Sequence, residues 1–98
     1  MAALRIDLQE GFDSDVVAIR VDGKEVYRKS GVTTMLQISL ADSVEVDAGD
    51  ATASVEVEVV SRDARDRVSV DPPAFVAFTL RPDGGIRHQV SKEPFRYM

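Results

Sequence analysis

The stretch Val17-Ala18-Ile19-Arg20-Val21-Asp22-Gly23-Lys24-Glu25-Val26-Tyr27 decides the fold. Val17, Ile19 and Val21 alternate with Ala18 and Arg20, so every second side chain is apolar, which is the period of a strand with one buried face. Asp22-Gly23 then breaks the run with two residues that accept a positive φ, as both central positions of a type I′ hairpin turn require. Beyond the turn, Val26 and Tyr27 continue an extended segment. A hairpin is expected here, and its period is the one to seek elsewhere.

The same alternation recurs along the chain. Leu4, Ile6 and Leu8 alternate with Arg5, Asp7 and Gln9; Leu36, Ile38 and Leu40 with Gln37 and Ser39; Val44 and Val46 with Glu45 and Asp47. Ala53, Val55, Val57 and Val59 alternate with Ser54, Glu56 and Glu58, Val68 and Val70 flank Ser69, and Val76, Phe78 and Leu80 interleave with Ala77 and Thr79. Fifteen of the 98 residues are valine, whose branched side chain suits a pleated surface better than a helix. No segment of ten or more residues holds a helical apolar stripe.

Turn chemistry separates the runs. Gly11, Ser30-Gly31 and Gly49-Asp50 punctuate connections, and Pro82-Asp83-Gly84-Gly85 predicts a hairpin between a strand over 75–80 and one over 86–90. Pro72-Pro73 cannot lie in a central strand and marks a crossing or an edge. Arg62-Asp63-Ala64-Arg65-Asp66-Arg67 carries no clear period and reads as a mobile loop with room for one short helical turn. The expected fold is all-β: a single antiparallel β-sandwich of seven to nine short strands over residues 1–98, with a small closed β-barrel as the alternative. Its core should contain Leu4, Ile6, Val17, Ile19, Val21, Leu36, Ile38, Leu40, Val55, Val57, Val59, Val76, Phe78 and Leu80.

Composition narrows the chemistry. There is no cysteine and one histidine, so disulfides, thiolate nucleophiles and Cys- or His-rich metal sites are not expected, and no cofactor is expected. A net charge of −5 disfavours nucleic acid or an anionic membrane as partner. The first residues lack a basic and apolar leader, so a cytoplasmic protein is expected. The charge is uneven: from Ser30 to Ser61 there is no basic residue, and Asp42, Glu45, Asp47, Asp50, Glu56 and Glu58 sum to −6. Residues 81–98 carry Arg81, Arg87, Lys92 and Arg96 against Asp83 and Glu93, a balance of +2. These two regions could meet across an interface between copies, or simply form solvated faces.

Four features could carry chemistry. His88 is the only imidazole; with Ile86 and Val90 facing the core it lies on their side of its strand, and a one-residue slip would turn it to solvent. Glu56 and Glu58 share a strand face about 6.5–7 Å apart, a spacing compatible with paired acid and base work but ordinary for a solvated face. Asp13-Ser14-Asp15, and Asp47 with Asp50, place loop oxygens that could gather around calcium, though they lack an EF-hand pattern and are common turn formers. Gly84-Gly85 precedes a strand rather than a helix and is no phosphate cradle.

The end, Ser91-Lys92-Glu93-Pro94-Phe95-Arg96-Tyr97-Met98, concentrates two aromatics and a methionine where chain ends are usually polar. Phe95, Arg96, Tyr97 and Met98 are the candidate interface residues, either clamping an open end of the sandwich or anchoring a second subunit. The stretch Ile19-Arg20-Val21-Asp22-Gly23-Lys24-Glu25-Val26 resembles the strand, Asp-Gly, strand hairpin of PEGA-type and transthyretin-like sandwich domains; the likeness covers eight residues and transfers no functional residue. The expected function is a non-catalytic binding or assembly module whose partner is itself or another protein, with homo-oligomers in view. A small hydrolase using carboxylates or His88, or a calcium-assisted ligand-binding sandwich, is the alternative.

Overall fold

The structure, a computed structural model, describes residues 3–49 and 51–95. Eight strands follow one another: β1 (Ala3–Leu8), β2 (Asp15–Val21), β3 (Lys24–Val32), β4 (Asp42–Asp47), β5 (Ala53–Val59), β6 (Ala64–Val70), β7 (Ala74–Leu80) and β8 (Ile86–Ser91). They form two four-stranded sheets, ordered β4-β1-β7-β8 and β3-β2-β5-β6, with no closed barrel. The sandwich expectation holds. The apolar phases of β1, β2, β5 and β7 point between the sheets, and Leu4, Ile6, Val17, Ile19, Val55, Val57, Val59, Val76 and Phe78 are fully excluded from solvent. Leu8, Phe12, Val32, Ala53, Val70 and Ala74 complete the core around them.

The Asp22-Gly23 hairpin forms as read, with φ of 52° and 81° and Val21 opposite Lys24. Pro72-Pro73, joined by a cis peptide, carries the chain from β6 in one sheet to β7 in the other. All strand pairs are antiparallel except β1 with β7, which run parallel with Leu4 opposite Ala74 and Leu8 opposite Phe78. Past Leu8 this pairing continues through Gln9 N–H to Phe78 O and Leu80 N–H to Glu10 O, each 2.8 Å. Gly11 sits at that junction with φ of +93°, and a Cβ there would lie 1.8 Å from the Leu80 carbonyl oxygen. Only glycine lets the chain turn so close to β7.

Two sequence expectations are corrected. Leu36, Ile38 and Leu40 are not a strand: residues 36–39 turn, Met35 N–H bonds Leu40 O at 3.0 Å, and Ser39 N–H returns to Met35 O at 2.8 Å. Leu36 is 86% exposed, and Ile38 and Leu40 are half-buried. The chain must pass here from the edge of one sheet to the edge of the other. Thr34 anchors the start of the passage by donating to Gln9 O at 2.7 Å and accepting from Phe12 N–H at 3.1 Å. The expected loop over Arg62–Arg67 is instead a 3-10 turn at Val60–Arg62, a left-handed Asp63 (φ 53°) and the start of β6. Arg65 and Arg67 lie opposite Glu58 and Glu56, so cross-strand charge replaces apolar alternation as the mark of this strand.

Polar side chains tie both open sides of the sandwich. On one side the Tyr27 hydroxyl of β3 donates to Asp42 of β4 at 2.7 Å. On the other, His88 of β8 meets Asp66 of β6 at 2.6 Å. Among the described residues no helix is long and apolar enough to cross a membrane.

Candidate functional site

The glutamate pair lies on the outer face of β5, inside a lattice of arginines. Arg20 of β2 donates from Nη1 to Glu56 and from Nη2 to Glu58, both at 3.0 Å. Arg67 and Arg65 of β6 approach the same carboxylates from the other side at 3.5 and 3.4 Å. The hydrogen bond from Arg20, helped by the Arg65 charge, holds the Glu58 carboxyl below its ordinary range. Proton donation requires the opposite shift, toward neutrality. Here the pair cross-links three strands.

His88 does share the inward side of β8 with Ile86 and Val90, as its register with Phe78 requires. It is nonetheless exposed, because β8 is the last strand of its sheet and the sandwich opens beside it. Its Nδ1 contacts Asp66 Oδ2 at 2.6 Å, an arrangement that also orients the imidazole of a catalytic triad. Ala64 and Val68 flank Asp66 on its own face, and Ile86 and Val90 flank His88. Those flanking positions supply no hydroxyl, and the contact ties β8 to β6 across the open side of the sandwich.

The Asp13-Ser14-Asp15 loop uses its oxygens internally. Asp15 is 3% exposed and accepts from Arg62 Nε at 2.9 Å and Nη2 at 3.1 Å, from Ser61 Oγ at 2.7 Å, and from Asp13 N–H at 2.9 Å. Burial alone would push the Asp15 carboxyl up, but these hydrogen bonds and the Arg62 charge outweigh it and hold the group below its ordinary value. A cation would have to displace Arg62. Asp47 is exposed on β4, and Asp50 lies outside the described residues. Among the described residues no three His, Asp or Glu side chains are grouped to share a metal ion.

Three features escaped the sequence. Asp42 is held by the Tyr27 hydroxyl, its neighbour's N–H and Lys29 (3.5 Å), which together outweigh burial and keep its carboxyl low, while burial and the Asp42 contact push the Tyr27 phenol up. Asp7, on the outer face of β1, is 1% exposed and accepts from Ser43 Oγ at 2.8 Å and Arg5 Nε at 3.3 Å. An open groove of about 590 Å³ lies between the β1–β2 connection and the β7–β8 hairpin, lined by Glu10, Gly11, Thr79, Leu80, Arg81, Pro82 and Arg87. Its charges are mixed, and Arg81 is already 3.4 Å from Asp83. No motif marks these groups, because each depends on which strands become neighbours.

The remaining candidates are apolar. Among the described residues the large apolar side chains left exposed are Met35 (50%), Leu36 (86%), Val60 (41%) and Val90 (43%). The first three sit on connections at one end of the sandwich; Val90 lies on the terminal strand β8 near the start of the aromatic end. Lys92 secures that start by donating to Pro73 O at 2.9 Å and to Asp71 O. Of the candidate interface residues, Phe95 is half-buried, and Arg96, Tyr97 and Met98 lie outside the described residues. Comparisons of the chain with protein-family models, with curated proteins and with solved structures give no match.

Proposed function

We propose that this domain is a non-catalytic assembly module that acts through protein–protein contacts, and that its partner is a second copy of itself. The observation that carries the reading is Val90. It stands 43% exposed on an unpaired sheet edge that leads directly into a segment containing Phe95, Tyr97 and Met98. An edge that exposes a valine and runs into aromatic and arginine residues has side chains of the kind favoured at the centre of interfaces. The charged groups that could have done chemistry support the same reading. Glu56, Glu58, Asp15 and Asp66 each hold a partner from another strand or connection, and so serve to fix the sandwich.

Sedimentation of the full chain and of a chain lacking residues 94–98, over about 1–300 μM, tests the reading. Concentration-dependent mass in the full chain supports it. A monomer throughout overturns self-association. If the truncated chain keeps its mass but melts earlier, the aromatic end clamps its own sandwich and is not the anchor.

A further inference from the structure

Resting on the self-association reading, we infer that the contact is made by β8 pairing antiparallel with β8 of a second copy, joining the two β4-β1-β7-β8 sheets into one of eight strands. The sandwich has four terminal strands, and they are not equally defended. β3 carries Lys24, Glu25, Arg28 and Lys29, and its register against β2 shifts twice. β4 holds Asp42, Glu45 and Asp47 among six residues. β6 carries Arg65, Asp66 and Arg67, all engaged in its own sandwich. Charges and irregularities of this kind keep edges from pairing with one another. β8, Ile86-Arg87-His88-Gln89-Val90-Ser91, has one fixed charge and an exposed valine.

Register follows from the faces. Arg87 and Gln89 lie on the outer face of the sheet and Ile86, His88 and Val90 on the inner one, so a two-fold axis perpendicular to the joined sheet must pass through a residue position. Centred on His88, the pairing sets Ile86 opposite Val90 of the second copy and Arg87 opposite its Gln89. Both relations occur twice by symmetry. Val90 is covered by an apolar side chain, the guanidinium meets an amide, and no fixed like charges stand opposite each other. The His88 ring is already turned toward Asp66 of its own β6. A six-residue strand pair covers less than the roughly 1,200 Å² of a standard interface, so dissociation is expected in the range of about 10–100 μM.

The test uses Gln89, which is exposed and faces outward. Gln89→Glu places a carboxylate opposite each Arg87 of the other copy and should tighten association by roughly 2- to 10-fold, whereas Gln89→Arg sets like charges opposite and should weaken it by a similar factor. Ser69→Glu and Ser69→Arg, on exposed outward positions of β6, should leave it unchanged. Sedimentation equilibrium reads the wild type, these four variants and the chain lacking residues 94–98. Opposite shifts at position 89 alone support the β8 pair. Association that ignores position 89 but is lost on removing residues 94–98 overturns the β8 pair and leaves self-association standing. A wild-type monomer above about 100 μM overturns both.

Discussion

Asp15 and Arg62 lie 47 residues apart and meet through two hydrogen bonds, at 2.9 and 3.1 Å, with the carboxylate buried and the guanidinium at the rim. The contact fastens the start of β2 to the turn between β5 and β6 at the mouth of the sandwich. A buried carboxylate left alone would destabilise the fold, so the arginine contributes chiefly by preventing that cost.

Acid should therefore loosen this end first. Because the folded Asp15 and Asp42 carboxyls are held low, the unfolded chain takes up their protons more readily than the folded one. Their stabilisation is complete above the ordinary carboxylate value near 4 and disappears as pH falls through the lowered values. Asp15→Asn should cost about 1–3 kcal/mol at pH 7 and flatten the acid limb of a plot of urea midpoint against pH. An unchanged limb would show that Asp15 does not contribute to it.

Gly11→Ala should be among the costliest single-methyl additions in the chain. The new Cβ would fall 1.8 Å from Leu80 O, at a φ where an L side chain is already strained. We expect a loss of about 2–4 kcal/mol by urea unfolding. Gly23→Ala, whose Cβ meets nothing within 4 Å, should cost about 1 kcal/mol from φ alone.

Two apolar truncations should separate core from surface. Phe78→Ala removes a ring with no solvent exposure and should cost about 3–5 kcal/mol, while Leu36→Ala should stay within about 0.5 kcal/mol. Equal losses would place the 36–40 turn back in the core.

The glutamate lattice should matter little at any one member. Glu56→Gln or Glu58→Gln should change stability by less than about 1 kcal/mol, since the pairs are partly solvated and their strength falls with salt. Urea midpoints at about 0.05 and 0.5 M NaCl measure this. A loss above about 2 kcal/mol in either variant would mean that the lattice carries more than edge-to-edge registry.

Strand positions were legible wherever an apolar period of two met a turn signal, as at Val17–Val21 with Asp22-Gly23 and at Val76–Leu80 with Pro82. The reading failed at Leu36-Gln37-Ile38-Ser39-Leu40 because the same period can be satisfied by a short turn when the chain has to change sheets. It failed again at Arg65-Asp66-Arg67 because the partners that make this a strand, Glu58 and Glu56, become visible only after β5 and β6 are paired. His88 was assigned its correct side, but its exposure depends on β8 being terminal. The Asp15–Arg62 and Tyr27–Asp42 contacts join distant segments, and nothing local records them.

The parallel contact of β1 with β7 gives the molecule a particular order of assembly. Leu4 pairs with Val46 on one side but with Ala74, 70 residues further on, on the other, so the middle of one sheet stays unfinished until β7 is made. Until then, the strand over 3–8 presents Leu4, Ile6 and Leu8 with at most β4 beside it. Closing so long a loop precedes the contacts that reward it, which places folding on the slow side for a chain of this size. Maturation of this domain thus waits on β7, and β1 is locked on both sides only once a strand 70 residues further along is in place.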